Sequence, residues 1–192
     1  MKQIAIAAAA GALMIGGAFA TQSAPKDQAD IEVSNPLVGG EAMLSDRGLM
    51  ENISHSPDNT KFAAALERSG VAKALTPGGT FTVFAPTNAV FTGVPADKAA
   101  LARAMSYLVV RGRYDSQALL RDINQQGGQL HLKTLEGGVI TAQMNGPTNI
   151  LLMDEKGGSA DIAVYDVYQK NGVLQVIDRM LQPGPASQVA GL

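Results

Sequence analysis

The sequence predicts an α+β fold, with helices gathered in the first half of the chain and hairpins in the second. Three observations carry this. Apolar residues recur at helical spacing in successive segments up to Gly127-Gly128. Beyond that point strand-length runs alternate with Gly-Gly, Asn-Gly-Pro and Asn-Gly separators, which is the turn chemistry of a β-meander. Among the helices stands one apolar run, "TFTVFAP", that reads as a strand, and regular βαβ alternation is absent.

The chain opens with "MKQIAIAAAAGALMIGGAFA": a charged start, an apolar stretch and the small-x-small end Ala18-Phe19-Ala20. This is the pattern of a secretory signal over residues 1–20, cut after Ala20, and no stable membrane span is expected once it is removed. Residues 21–36 are polar and hold two prolines, reading as a flexible linker, and residues 185–192 read as a loose tail. The folded domain is expected over residues 37–184.

Within it, Leu49, Met50 and Ile53 share one helical face, and "SPDNT" then supplies turn and N-cap residues. A second helix places Phe62 and Leu66 four apart and stops at Gly70, a natural C′ residue. In "TFTVFAP", Phe81, Val83 and Ala85 alternate with Thr82 and Phe84, and Pro86, which lacks an N–H, ends the strand. The Thr87 side chain is expected to cap a short helical turn carrying Val90 and Phe91. A third helix carries Leu101, Met105 and Leu108 at i, i+4 and i+7; a fourth begins at Asp115 or Ser116 and buries Leu119 and Ile123. Four of the nine Phe and Tyr residues fall between Phe81 and Tyr107, so this stretch should lie near the centre of the core.

Composition narrows the function classes. Apolar residues make up 46% and charged residues 17% of 192, enough for one compact core. The formal net charge of −2 and the scattered basic residues argue against nucleic acid as a partner. With no Cys, a cysteine-linked lipid anchor, a thiol nucleophile and disulfides are all excluded, so the core alone must hold the fold. No catalytic, metal or cofactor site is expected. His131 alternates with Leu130 and Leu132 and should face solvent, and His55 sits among serines in turn chemistry. The run "DINQQG" lacks the Glu that a calcium loop needs at its twelfth position, where Lys133 stands. Asp154 and Glu155 read as a solvated hairpin turn, and the "NIS" at Asn52 is a glycosylation sequon by pattern alone.

Four stretches resemble the fasciclin (FAS1) domain family in order. "TVFAPTNAVF" is similar to its first signature, "YLVVRGRY" to its central Tyr-His motif, and "LKTLEGGVITAQMNG" to its Thr-Leu-x-Gly strand pair. "DVYQKNGVLQVIDRMLQP" is similar to its second signature. The resemblance covers residues 37–184 and implies a β-sandwich or wedge of about seven strands with a helical layer. In that frame Phe81, Val83, Phe84, Pro86, Thr87, Phe91, Asn171, Gly172, Ile177 and Asp178 are structural motif positions. The chain departs from the family at Leu108 and Gln175, where histidines are expected, and at Ala89, where an acidic residue is common.

The resemblance also implies a non-enzymatic, extracellular role in adhesion. Tyr107, with Asp166 and Val167 at the positions of an Asp-Ile pair linked to receptor recognition in animal members, are its candidate interaction residues. The expected function is a secreted or periplasmic adhesion module, acting as a monomer on a surface protein or polysaccharide. The alternative is a periplasmic carrier of a small apolar molecule or lipid, with a pocket between helices and sheet.

Overall fold

The computed structural model describes residues 35–75 and 78–185. The expected signal at 1–20, the linker up to residue 34 and the tail from residue 186 lie outside the described residues. A short hairpin, β1 (Leu37–Val38) and β2 (Glu41–Ala42), leads into α1 (Leu49–His55) and α2 (Thr60–Ser69). Then follow β3 (Phe81–Pro86), α3 (Lys98–Tyr107), β4 (Val109–Arg111) and α4 (Ser116–Gln125). The meander comprises β5 (Gln129–Lys133), β6 (Val139–Asn145), β7 (Asn149–Met153), β8 (Ser159–Gln169) and β9 (Gly172–Ile177).

Seven strands form one sheet in the order β4-β3-β9-β8-β7-β6-β5, so the expected strand number and the α+β class both hold. The pair β3–β9 is parallel and joins the two halves of the chain, Phe81 facing Gly172 and Pro86 facing Ile177. The sheet curls until its two edges touch: Val110 bridges Thr134, and the Leu135 N–H donates to the Val109 carbonyl at 2.8 Å. This nearly closed sheet leaves little open edge. Strand β8 serves both β7 and β9 by bending through register shifts between Ile162 and Val167, a β-bulge that re-aims its side chains.

Both faces of β3 are covered. Phe81, Val83 and Ala85 on one side and Thr82 and Phe84 on the other are all buried, as expected of a strand between a helical layer and a sheet interior. Thr82 remains satisfied there, its hydroxyl donating to the Gly112 carbonyl and accepting the Tyr114 N–H, each at 2.8 Å.

Two helix starts follow the local rule: Asp97 accepts the Ala100 N–H and Asp115 the Ala118 N–H, each at 2.8 Å. Helix α2 does not. Asn59, at its N-cap position, turns inward to donate to the Pro86 carbonyl at 2.9 Å. The Lys61 N–H is instead accepted by the side chain of Asn88, from the loop after β3. The Thr87 expectation is corrected too: its main-chain carbonyl, not its hydroxyl, accepts the Val90 and Phe91 N–H groups.

The folded part starts before residue 37. Asn35, counted in the linker by sequence, brackets Tyr168: its Oδ1 accepts the Tyr168 N–H at 2.8 Å while its Nδ2 donates to the Tyr168 carbonyl at 2.6 Å.

Candidate functional site

The signature residues build the architecture from inside. Asn171 closes the junction between β9 and the helices: its Oδ1 accepts the Leu49 N–H at the start of α1, and its Nδ2 donates to the Leu75 carbonyl. Gly172 follows because the Phe81 carbonyl oxygen stands 1.9 Å from where any Cβ would be. Asp178 fastens the end of β9 to β8, accepting the Asp161 N–H at 2.8 Å, and Ile177 is fully buried. Phe91 is half-buried, its ring edge-on to Phe62 with centroids 6.1 Å apart.

The three candidate interaction residues are placed differently from one another. Tyr107 is fully buried; its hydroxyl donates to the Val139 carbonyl at 2.7 Å and accepts the Glu155 N–H at 3.2 Å. Burial pushes that hydroxyl's pKa well above its ordinary value of 10.0, and the carboxylates of Glu155, Asp154 and Glu136 add to the rise. Val167 is fully buried against the sheet opposite Leu174. Neither presents a surface to a partner; both hold the interior. Asp166 is half-buried, with its carboxylate turned onto the Ser116 N–H and hydroxyl and onto the Gln175 amide.

The two departures from the family pattern are accommodated. Leu108 is fully buried among apolar neighbours. Gln175 is equally buried but fully paired, with Asp166 on one side and the Tyr114 carbonyl on the other. Among the described residues, every buried side-chain nitrogen or oxygen has a hydrogen-bond partner.

Two sequence expectations change. Asp154 and Glu155 form a latch, not merely a solvated turn. Asp154 accepts the N–H groups of Lys156, Gly158 and Gln182, and Glu155 accepts those of Val139 and Gly184. They bind the segment after β9 to the β7–β8 turn, a pairing that sequence spacing does not reveal. Asn52 is buried, its amide donating to the Leu44 carbonyl at 2.8 Å and to the Gln169 side chain, so the sequon is closed to a glycosylating enzyme in the folded protein.

Both histidines lie at the surface, His55 against the Glu51 carbonyl and His131 against the Thr141 hydroxyl. Among the described residues no group of three or more His, Cys, Asp or Glu side chains is placed to hold a metal ion. No described helix is long and apolar enough to cross a membrane.

Concave regions among the described residues lie beside α1 and along α2 and α3. A groove of about 680 Å³ runs beside the start of α1, lined by Met50, Leu75, Gly79 and Lys170 among others. A second tract follows α2, the loop at residues 91–96 and the β7–β8 turn, in adjoining hollows of about 580, 200 and 350 Å³. The space between helices and sheet, where a carrier would hold its cargo, is filled by Phe62, Leu66, Phe84, Leu101 and Met105, all fully buried.

Comparison with known proteins gives a consistent result. The family model described as Fasciclin domain matches residues 57–183. Human periostin is 30% identical over 152 residues, covering 75% of this chain and 17% of periostin. Protein sll1483 of Synechocystis is 29% identical over 131 residues, covering 62% of this chain and 64% of that protein. The chain therefore spans less than two thirds of the length of either relative. A solved FAS1 domain pair from the insect cell adhesion molecule fasciclin I superposes with a TM-score of 0.59 at 16% identity, over 70% of this chain and 50% of that one.

Proposed function

This chain belongs to the fasciclin domain family, and from that premise we propose that it is an exported adhesion module engaging a surface protein or glycan. Domains of this family serve adhesion and interaction and are in general non-enzymatic. The observation that carries the proposal is the placement of the motif residues: Asn171, Gly172, Tyr107 and Gln175 are all taken up by the architecture. Partner contacts then fall to the exposed loops and helix faces that the motifs support. Export rests on the N-terminal pattern of charge, apolar run and small residues. The carrier alternative finds no support in the filled space between helices and sheet.

The test is cosedimentation of the purified protein with envelope fragments from its own organism. Parallel samples of the fragments are treated with protease or with glycan-degrading enzymes. Saturable binding abolished by one treatment supports the module and names its partner's class. Absence of binding at high micromolar protein would overturn it.

A further inference from the structure

We propose that the tract along α2, the 91–96 loop and the β7–β8 turn is a binding face for an acidic linear polysaccharide. This rests on the reading of the domain as an interaction module and names the chemistry of its partner.

The argument begins with charge. Lys61 and Arg68 lie seven residues apart on α2, on one face and about 10 Å apart along its axis, and line the first hollow with the small side chains of Ala64 and Ala65 between them. Lys156 and Arg179 line the hollow at the other end. None of these four cations has an ion pair among the described residues. Lys61 donates to the Asn88 carbonyl and Lys156 to the Gln182 side-chain oxygen, both neutral partners. Arg103, which lines the middle hollow, is neutralised by Glu136 at 2.6 Å. Among the described residues the single acidic side chain lining the tract is Asp154, whose carboxylate already accepts three main-chain N–H groups. In a chain of net charge −2 this is a local inversion of sign, suited to a polyanion.

Shape and lining select among polyanions. The hollows adjoin: the first and second share Gly93 and Pro95, the second and third share Lys156, Met180 and Gln182. A shallow, extended course floored by Pro95, Val94 and alanines fits the C–H faces of sugar rings, with the cations flanking their acidic groups. An acidic peptide would find no open strand edge there, since the described lining comes from α2, α3, loops and a turn. For single-stranded nucleic acid the one aromatic ring among the described lining residues, Phe91, is half-buried against Phe62 and offers no stacking platform. For a lipid surface the exposed large apolar residues among those described, Leu37 and Leu44, are not among those lining the tract.

The test measures binding of the purified protein to immobilised polygalacturonate, with neutral dextran, poly-glutamate and phosphatidylglycerol vesicles alongside. Two charge-reversed variants, Lys61→Glu with Arg68→Glu and Lys156→Glu with Arg179→Glu, are checked for an unchanged melting temperature. The expected result is binding to polygalacturonate that falls steeply with salt, is absent on dextran, and weakens roughly tenfold in each variant. No binding, or binding that both variants retain, overturns the proposal, as does tighter binding to poly-glutamate or to the vesicles. Envelope cosedimentation of a variant carrying all four reversals separates the two levels. If attachment persists undiminished, the module stands and this face is not its contact.

Discussion

The side chain of Gln175 is paired with both the main chain and the carboxylate of Asp166 across β8 and β9. The Gln175 Oε1 accepts the Asp166 N–H at 3.0 Å, and its Nε2 donates back to the Asp166 carboxylate at 3.1 Å. Asp166 has φ of 58°, the only non-glycine among the described residues with a positive value. The strained residue of the β8 bulge is thus held by a buried amide that does not titrate, at the position where the family pattern expects histidine. Its carboxylate carries the hold onward to the start of α4 through Ser116.

That arrangement separates two substitutions. Asp166→Ala removes the acceptor of the Ser116 N–H and hydroxyl and of the Gln175 amide, and should cost about 2–3 kcal/mol. Asp166→Asn keeps an oxygen for the Ser116 N–H, lets the Ser116 hydroxyl turn to accept, and tolerates the left-handed backbone; its cost should stay below about 1 kcal/mol. Urea unfolding measures both. Equal losses would show that charge, not the bonding pattern, matters there.

Gly172 admits no side chain. A Cβ there would meet the Phe81 carbonyl oxygen at 1.9 Å and the Leu49 Cδ1 at 3.0 Å, and the first contact is with rigid main chain. Gly172→Ala must force β3 and β9 apart at the one parallel pairing in the sheet. A loss of at least about 3 kcal/mol is expected, seen as poor soluble yield or a lowered melting temperature. An unchanged melt would mean that the junction relaxes freely.

Phe84 is fully buried on β3, within the core that the helices share with the sheet. Phe84→Ala should destabilise the domain by roughly 3–5 kcal/mol, the transfer loss plus the cavity left behind. A calorimetric melt shifted by less than about a degree would remove this strand from the centre of the core.

How far such features can be read from sequence depends on how local their physics is. Asp115 caps the helix that begins beside it, so local sequence narrows that cap to Asp115 or Ser116, and the structure decides for Asp115. The Gly-Gly and Asn-Gly separators likewise mark the hairpins where they stand. The cap of α2 was not legible, because Asn88 reaches it from a loop 27 residues away while the nearer Asn59 is drawn to Pro86. Tyr107 stands as a candidate only through the family resemblance; a phenol suits either a surface or a core, and only the Val139 and Glu155 contacts decide between them. The basic tract was invisible for a related reason. Lys61 and Arg68 share one face of α2, but Lys156 and Arg179 stand far from them and from each other in the chain, and those two meet only where the segment after β9 is latched to the β7–β8 turn.

Tyr107 also sets an alkaline limit on stability. Its hydroxyl is protonated in the fold to well above 10.0, chiefly because burial disfavours the phenolate, whereas in the unfolded chain it ionises near that value. Above pH 10 the unfolded state therefore binds fewer protons than the folded one, and stability must fall as pH rises, by up to about 1.4 kcal/mol per pH unit from this group. Tyr165 and Tyr168 are raised as well, also mainly by burial, and contribute in the same direction. Tyr107→Phe leaves the Val139 carbonyl and Glu155 N–H without that partner, costing about 1–3 kcal/mol at neutral pH. It also removes one ionising group, so the gap between wild type and variant should narrow steadily above pH 10. Denaturant titrations at pH 7, 10 and 11 measure this. A gap that stays constant across that range would mean that the Tyr107 phenol ionises as readily folded as unfolded, and the buried bond to Val139 would have to be abandoned.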